Sequence, residues 1–174
     1  EILECPYPKS FEDFIGQEKA RLQIIAAITS AMQRGARMDH VLLASGLPGI
    51  GKTTLGRLAA HQRGVGFVEL GGKVTDRDAA NAIKQMADGD VLFLDEIHRL
   101  VAGGKSSAEW LLTRLQDGVL HLPSGIVEAP DITVVAATTD AQKLPETILD
   151  RFVVKPMLEP YTTAEATQIA YVTA

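Results

Sequence analysis

Residues 46 to 53 read Gly-Leu-Pro-Gly-Ile-Gly-Lys-Thr, a complete phosphate-binding loop. The loop follows the apolar run 41–44 and precedes a stretch with helical periodicity, so a strand is predicted to turn through glycines into a helix N-terminus. Backbone N–H groups converge at such a turn, and the helix dipole favours a bound anion. Lys52 is predicted to reach the β- and γ-phosphates of a nucleoside triphosphate, and the Thr53 hydroxyl to ligate magnesium. The predicted nucleotide contacts of this loop are Gly46, Pro48, Gly49, Ile50, Gly51, Lys52, Thr53 and Thr54.

Length and composition are those of one ordinary globular domain: 174 residues, 46% hydrophobic and 22% charged. No apolar run approaches the ~20 residues of a membrane span, and no signal-peptide pattern opens the chain. Cys5 is the single cysteine, which excludes an internal disulfide and favours a reducing cytoplasm. A net charge of −5 argues against a uniformly basic surface, although a local basic loop would still suffice for contacts with nucleic acid. Because the chain starts at Glu1 and stops within a helix-like run, we expect a fragment of a longer protein.

Short apolar runs alternate with segments of helical periodicity. This alternation predicts an α/β fold, a three-layer sandwich around a five-stranded, mostly parallel sheet. The runs are apolar throughout, as in strands that are buried on both faces. The predicted strands are Val41–Ala44, Gly66–Leu70, Val91–Leu94, Ile132–Ala136 and Phe152–Lys155.

Two kinds of pattern predict helices between these strands. Apolar residues at three- and four-residue spacing predict the buried face of the first helix, namely Leu22, Ile25, Ile28 and Met32. Later helices are predicted to begin with capping boxes, in which two side chains satisfy free N–H groups of the first turn. These pairs are Thr75 with Asp78, Ser106 with Glu109, and Thr162 with Glu165.

The strand Val91–Leu94 ends in two carboxylates, Asp95 and Glu96. Ligands of open parallel sheets bind at this edge, so both side chains are expected beside the phosphate loop. Asp95 is predicted to hold magnesium through its water shell, and Glu96 to polarise a water for in-line attack on the γ-phosphate. A small-molecule kinase is the less favoured interpretation, since it would need an acceptor pocket and has less use for such a glutamate.

Two later positions carry weaker signals. Thr139, or its neighbour Thr138, follows an apolar strand and is a candidate donor to the γ-phosphate or the attacking water. A threonine pair at a strand end is, by itself, more typical of β-propensity. Arg151 suits a transition state whose charge spreads over phosphate oxygens, but by sequence alone it is more typical of a surface ion pair with Asp150.

Taken in order, these segments resemble the AAA+ ATPases and, within them, the RuvB family of Holliday-junction branch-migration motors. The resemblance covers nearly the whole chain, and its most distinctive part is Gly89–Leu100. The segments that carry it are Pro8–Gln17, Asp39–Thr54, Gly89–Leu100, Ala137–Thr139, Asp150–Phe152 and Leu158–Tyr161.

The resemblance implies a DNA-acting motor subunit that uses ATP and Mg²⁺ in a homo-oligomeric, hexameric ring. It would act in the cytoplasm, away from membranes. Thr139 would be sensor 1, and Arg151 would point at the γ-phosphate bound by the neighbouring subunit. Ile15 and Gly16 would lie against the adenine, with Tyr161 on the other side of the nucleotide. The catalytic set is then Lys52, Asp95, Glu96, Thr139 and Arg151, with Thr53 and Asp95 at the metal.

Several departures from the family pattern limit what carries over. Tyr7 replaces a usual arginine, and the segment 117–132 is shorter where the family has a hairpin that grips RuvA, which makes a RuvA-like partner doubtful. The loop Val101–Ser106 is longer, and is either a DNA-facing loop with Lys105 on a phosphate or a plain surface loop. Glu69 stands where a small polar residue is usual. Residues 1–174 would be the large nucleotide-binding subdomain, without the helical lid and winged-helix domain of the family.

Two other functions share these parts. A clamp-loader or helicase-loader ATPase has the same catalytic residues, and an ATP-dependent assembly module with slow turnover would bind the same nucleotide. Intact Lys52, Asp95, Glu96 and Arg151 argue against an inactive site. His98 has no companions at metal-ligand spacing and is predicted to be structural.

Overall fold

A computed structural model of the chain describes residues 8–72, 75–101, 113, 116–122 and 125–173. No helix in these ranges is long and apolar enough to cross a membrane. The elements are, in chain order, α1 (Glu18–Arg34), β1 (Val41–Ala44), α2 (Lys52–Arg63), β2 (Phe67–Leu70), α3 (Asp76–Lys84), β3 (Val91–Leu94), α4 (Ile97–Val101), β4 (Val119–Leu122), β5 (Gly125–Glu128), β6 (Thr133–Thr138), a 3-10 turn (Ala141–Lys143), α5 (Glu146–Leu149) and α6 (Thr163–Thr173).

The main sheet is parallel and has the strand order β1-β6-β3-β2. The predicted α/β class is therefore confirmed. β6 is central and pairs with β1 on one side and β3 on the other, with Ala44 opposite Thr138 and Leu94 opposite Ala136. β4 and β5 form a separate antiparallel hairpin, in which Val119 is opposite Glu128. Each strand has four residues, and the hairpin lies in the segment 117–132 that is shorter than the family pattern.

The prediction of a fifth strand at Phe152–Lys155 is wrong, because this segment makes only isolated bridges to β1. Val154 exchanges backbone hydrogen bonds with His40 and Leu42, and Ala44 exchanges them with residues 156 and 158. The ladder bond between these two sites would need an N–H from Pro156, which proline lacks. The segment thus runs along β1 as an irregular edge, and the described sheet has four strands.

Side chains of successive strand residues point to opposite faces and fill two separate cores. Val41 and Leu43 of β1 join a cluster with α1 and α2, whereas Leu42 joins a cluster with α3, α4 and α5. In β3, Phe93 joins the first of these clusters and Leu92 joins the second. The sheet therefore lies between two helical layers, as predicted for a three-layer sandwich.

The buried face of α1 differs from the predicted one. Ile28 is buried, but Leu22 and Met32 are 60% and 62% exposed. The side chains that face the core are Ala20, Ile24, Ala27, Ile28 and Ala31. The three alanines lack bulk, so they let the helix backbone approach the core, and hydrophobicity alone did not identify them.

Two predicted capping boxes are present. Thr75 Oγ1 accepts from the Asp78 N–H at 3.2 Å, while the Asp78 carboxylate accepts from the Thr75 N–H at 3.2 Å. Thr162 and Glu165 make the same reciprocal pair. These bonds lower the pKa of both acids, since they stabilise the ionised form. The third predicted pair, 106 with 109, lies outside the described residues. So do residues 102–106 of the longer loop, and residue 7, which departs from the family pattern.

His40 closes the end of the sheet opposite the phosphate loop. Its Nδ1 accepts the Val134 backbone N–H at 2.9 Å, and its ring packs edge-on against Phe152 with centroids 6.3 Å apart. Burial, aided by the positive charge of Arg37, lowers the pKa of His40 from 6.5 to about 4. The folded protein therefore holds His40 as a neutral acceptor.

Acid should weaken the fold through His40. Because the folded pKa is the lower one, the unfolded chain binds the proton more readily below pH 6.5, so stability is full above pH 6.5 and falls toward pH 4. The expected loss over this window is about 3 kcal/mol. Denaturant unfolding at a series of pH values measures it. The variant His40→Asn keeps an acceptor but does not titrate, so its stability should not show this loss between pH 6.5 and pH 4. An unchanged loss in the variant would contradict the assignment to His40.

Candidate nucleotide-binding site

The carboxyl ends of β1, β6 and β3 lie side by side at one edge of the sheet. β1 continues through Ser45 into the phosphate loop, β6 ends at Thr138, and β3 leads to Asp95. The parallel register makes the three ends neighbours, because β6 lies between the other two strands. The structure thus brings the three predicted polar segments to one edge.

Lys52 is buried within its own loop. Its Nζ donates to Ser45 Oγ at 3.1 Å and to the Leu47 carbonyl at 3.2 Å, and Ser45 Oγ in turn donates to that carbonyl at 2.6 Å. Sequence reasoning missed Ser45, although a hydroxyl directly after β1 is the signal that points to it. Ser45 shapes the loop and helps to hold the ammonium group of Lys52.

Burial lowers the pKa of Lys52, and the charges of Glu96 and then Asp95 oppose that shift. These two carboxylates favour the protonated ammonium by their negative charges and so offset part of the cost of burying Lys52. They follow β3, two strands away from the loop that carries Lys52. The loop and the acidic pair form one charged cluster.

The loop glycines fall into two groups. Gly49 and Gly51 have φ of 72° and 93°, where residues with a Cβ are strained. A Cβ on Gly46 or Gly49 would meet nothing within 4 Å, whereas one on Gly51 would lie 2.6 Å from Phe14 Cζ and 3.2 Å from the Tyr161 hydroxyl. The side of the loop at Gly46 and Gly49 is therefore open, and the side at Gly51 is packed.

Replacing Gly51 by alanine should cost more stability than replacing Gly49. Both variants would suffer backbone strain of about 1–3 kcal/mol, and Gly51→Ala adds about 1–3 kcal/mol from overpacking against Phe14. Denaturant unfolding of the two variants beside the wild type measures the difference. Equal destabilisation of the two variants would show that Phe14 does not confine the loop.

Glu96 is held by the end of β6. Its Oε2 accepts from the Thr139 N–H at 3.2 Å and the Thr139 hydroxyl at 2.9 Å. Thr138 is fully buried, and its Oγ1 lies 2.9 Å from His98 Nδ1 and accepts the Asp140 N–H at 3.0 Å. The structure thus separates the two threonines: Thr139 contacts Glu96 directly, and Thr138 contacts His98.

The residues expected around the adenine lie beside the loop. The Tyr161 hydroxyl donates to the Ile50 carbonyl at 3.1 Å, and a Cβ on Gly16 would lie 2.9 Å from the Tyr161 ring. The Gln17 side chain donates to and accepts from the backbone of residue 159. Ile15 precedes this contact and is half-buried. Residues 15–17 and 159–161 therefore form one wall beside the phosphate loop.

Arg151 is directed elsewhere. Its guanidinium donates to the Gln116 side chain, and no ion pair with Asp150 is present among the described residues. Arg151 precedes Phe152, whose ring packs against His40, and Val154, which is bridged to Val41 at the start of β1. The start of β1 is the end of that strand opposite the phosphate loop. Arg151 thus lies away from the phosphate loop of its own chain.

Glu69, which the sequence left without an explanation, pairs with Arg57. The two side chains are 2.7 Å apart, and the Arg57 guanidinium lies 5.0 Å from the centre of the Phe67 ring. Both groups are solvent-exposed to a large degree, so we expect the pair to contribute less than about 1 kcal/mol. This contact is a surface feature of β2 and α2.

A glycine loop between a strand and a helix, with an acidic pair after a parallel strand two positions along the sheet, is the arrangement of a class of P-loop nucleotide-binding domains that includes the AAA+ proteins. A family model described as the Holliday junction DNA helicase RuvB P-loop domain matches residues 7–158. The chain belongs to this family.

Known proteins that resemble the chain agree with this assignment. The chain is 36% identical over 175 residues to the Holliday junction branch migration complex subunit RuvB of Corynebacterium aurimucosum, covering 93% of this chain and 46% of that protein. The structure matches RuvB of Thermotoga maritima, described as a Holliday junction branch migration motor, with a TM-score of 0.81 and 34% identity over 96% of this chain and 53% of that one. A mutant of the same protein matches with a TM-score of 0.84, 34% identity, and 96% and 54% coverage. The chain thus spans about half the length of the relatives that it matches.

Proposed function

We propose that the protein is an ATP-hydrolysing motor subunit that acts on DNA, by branch migration or helicase-type translocation. The observation that carries the proposal is the sheet edge, where the loop with the buried Lys52, the acidic pair after β3 and the end of β6 lie on neighbouring strands, and Thr139 holds Glu96. Membership of the RuvB family supports DNA as the substrate.

Different parts of the site bind the phosphates and the base. Lys52 and the backbone of the glycine loop bind the β- and γ-phosphates at the N-terminus of α2. The open space beside Gly46 and Gly49 supports this assignment, because a phosphate has to approach the backbone there. The wall formed by residues 15–17 and 159–161 binds the base, with Ile15, Gly16 and Tyr161 as its contacts.

Magnesium fits the donors that are present. The described residues contain no group of three or more His, Cys, Asp or Glu able to hold a metal without help. Magnesium typically takes one or two protein ligands and completes its octahedron with phosphate oxygens and waters, so Thr53 and Asp95 would suffice. When bound, the ion supplies charge neutralisation on the phosphate oxygens.

Glu96 acts as the general base in this proposal. Water attacks the γ-phosphorus in line with the leaving oxygen, and the Glu96 carboxylate orients it and takes its proton. Thr139 positions that carboxylate through two hydrogen bonds. Lys52 stabilises the charge that develops on the phosphate oxygens.

Arg151 acts on the nucleotide of a neighbouring subunit. Its position near the start of β1, away from the phosphate loop of its own chain, supports this role, since an arginine serving its own site would lie near Lys52. Hydrolysis would then require a homo-oligomer, and the family suggests a hexameric ring. We place this assembly in the cytoplasm, because the single cysteine excludes an internal disulfide and suits a reducing compartment. The prediction that a RuvA-like partner is doubtful stays a prediction.

The substitution Glu96→Gln in the full-length protein should leave ATP binding intact and slow hydrolysis at least about 100-fold, within the range of a general base. The neutral amide keeps the shape of the side chain but cannot take a proton from water. Phosphate release and nucleotide affinity measure the two effects separately, and the exposed Glu12→Gln serves as the control with wild-type turnover. Unchanged hydrolysis in Glu96→Gln would remove this role.

The same assay distinguishes a motor from a loader. For a branch-migration motor, we expect ATPase activity to rise with branched DNA more than with duplex or single-stranded DNA. A clamp-loader or helicase-loader would instead respond to its ring-shaped protein partner and not to branched DNA alone. A wild-type rate that no DNA changes, and that stays slow, would favour the assembly-module alternative.

The trans role of Arg151 can be tested by mixing inactive variants of the full-length protein. In a ring that mixes Arg151→Ala with Lys52→Ala in equal amounts, about one quarter of the sites combine an intact loop with an intact neighbouring arginine, so partial activity should return. A mixture of Lys52→Ala with Glu96→Gln is the matched control, because both defects lie in the same half-site and no complete site forms. Equal rates for the two mixtures would refute action across an interface.

A further inference from the structure

The acidic pair has a partner that the proposed mechanism does not use. His98 Nδ1 lies 3.1 Å from Glu96 Oε2, the same oxygen that accepts both hydrogen bonds from Thr139. Three polar groups thus lie around one carboxylate oxygen, and two of them, both of Thr139, are hydrogen-bonded to it. The histidine and glutamate side chains are only 11% and 18% exposed, so water competes little for these contacts.

The position of the imidazole is itself determined by buried contacts. His98 Nδ1 also lies 2.9 Å from Thr138 Oγ1, at the buried end of β6. A carboxylate has only acceptors, so the contact with Oε2 is favourable for the tautomer that carries its proton on Nδ1. In that tautomer the N–H faces both Oε2 and the threonine oxygen. Thr138 Oγ1 is held in turn by the Asp140 N–H at 3.0 Å.

The backbone at Glu96 is strained and is held by hydrogen bonds on both sides. Glu96 has φ of 51°, a left-handed conformation that is costly for a residue with a Cβ. The backbone is kept there by the Asp95 N–H bond to the Leu70 carbonyl and by the Arg99 N–H bond to the Glu96 carbonyl. Beyond these backbone bonds, the contacts of Oε2 orient the carboxylate itself.

We propose that His98 is a positioning residue that orients the Glu96 carboxylate for attack on water; this inference rests on the proposed ATPase function. Together with Thr139, it engages Oε2, which leaves the other oxygen, Oε1, to take the proton from water. The histidine touches neither nucleotide nor water in this role, and acts through Glu96 alone.

His98→Ala removes the 3.1 Å contact with Oε2 and should lower kcat for ATP about tenfold, as expected for the loss of one polar contact to a charged group. KM and nucleotide affinity should stay within about twofold, since the nucleotide contacts are intact. His98→Asn places an N–H near the position of Nδ1 and should recover most of the rate, whereas His98→Gln, whose N–H lies near the position of Nε2, should not. The exposed His61→Ala, on α2, is the control with wild-type kinetics.

The role can be separated from a merely structural one in the Glu96→Gln background. If His98 acts through the carboxylate, His98→Ala should cause no further loss there in single-turnover phosphate release. A second tenfold loss, an unchanged kcat in His98→Ala alone, or equal rates for the Asn and Gln variants would each overturn the inference. The proposed function fails independently, through a wild-type protein without ATPase activity or a Glu96→Gln variant with full activity.

Discussion

The pairing of β6 between β1 and β3 is the constraint on which the site depends. Every residue of β6 is buried, so each of its backbone groups has to find its partner within the sheet. This requirement fixes the register on both sides, with Ala44 opposite Thr138 and Leu94 opposite Ala136. Two residues beyond Leu94, Glu96 is therefore level with the end of β6, where Thr139 can reach it. A slip of one residue would turn these side chains to the opposite face.

Electrostatics at this edge follow from the same arrangement. The Lys52 ammonium is buried, and burial of a charge is costly unless other groups compensate it. The loop supplies two oxygens within hydrogen-bonding distance, and the carboxylates after β3 supply opposite charge. The strained backbone of Glu96 persists because the surrounding hydrogen bonds outweigh its cost. The buried charge of Lys52 and the strained, hydrogen-bonded Glu96 thus lie at the same edge of the sheet, and such groups are common at functional sites.

Packing beside the loop limits its freedom. Phe14 and Tyr161 close over the space that a side chain at Gly51 would need, and the Tyr161 hydroxyl bonds to the loop carbonyl of Ile50. The segments before α1 and before α6 are joined to each other through Gln17. Residues far apart in the chain therefore confine the start of α2.

The sequence by itself determined the phosphate loop, the acidic pair, the parallel α/β class and two of the capping boxes, because each is a local pattern whose chemistry depends on neighbours in the chain. Tertiary structure decided the rest. The buried face of α1 was settled by how closely its alanines approach the core, and the fifth strand was lost because Pro156 has no N–H to give to β1. The choice between Thr138 and Thr139, and the contact of His98 with Glu96, depend on the register of strands 40 residues apart. Such contacts join distant segments through the geometry of the sheet, and no spacing along the chain encodes them.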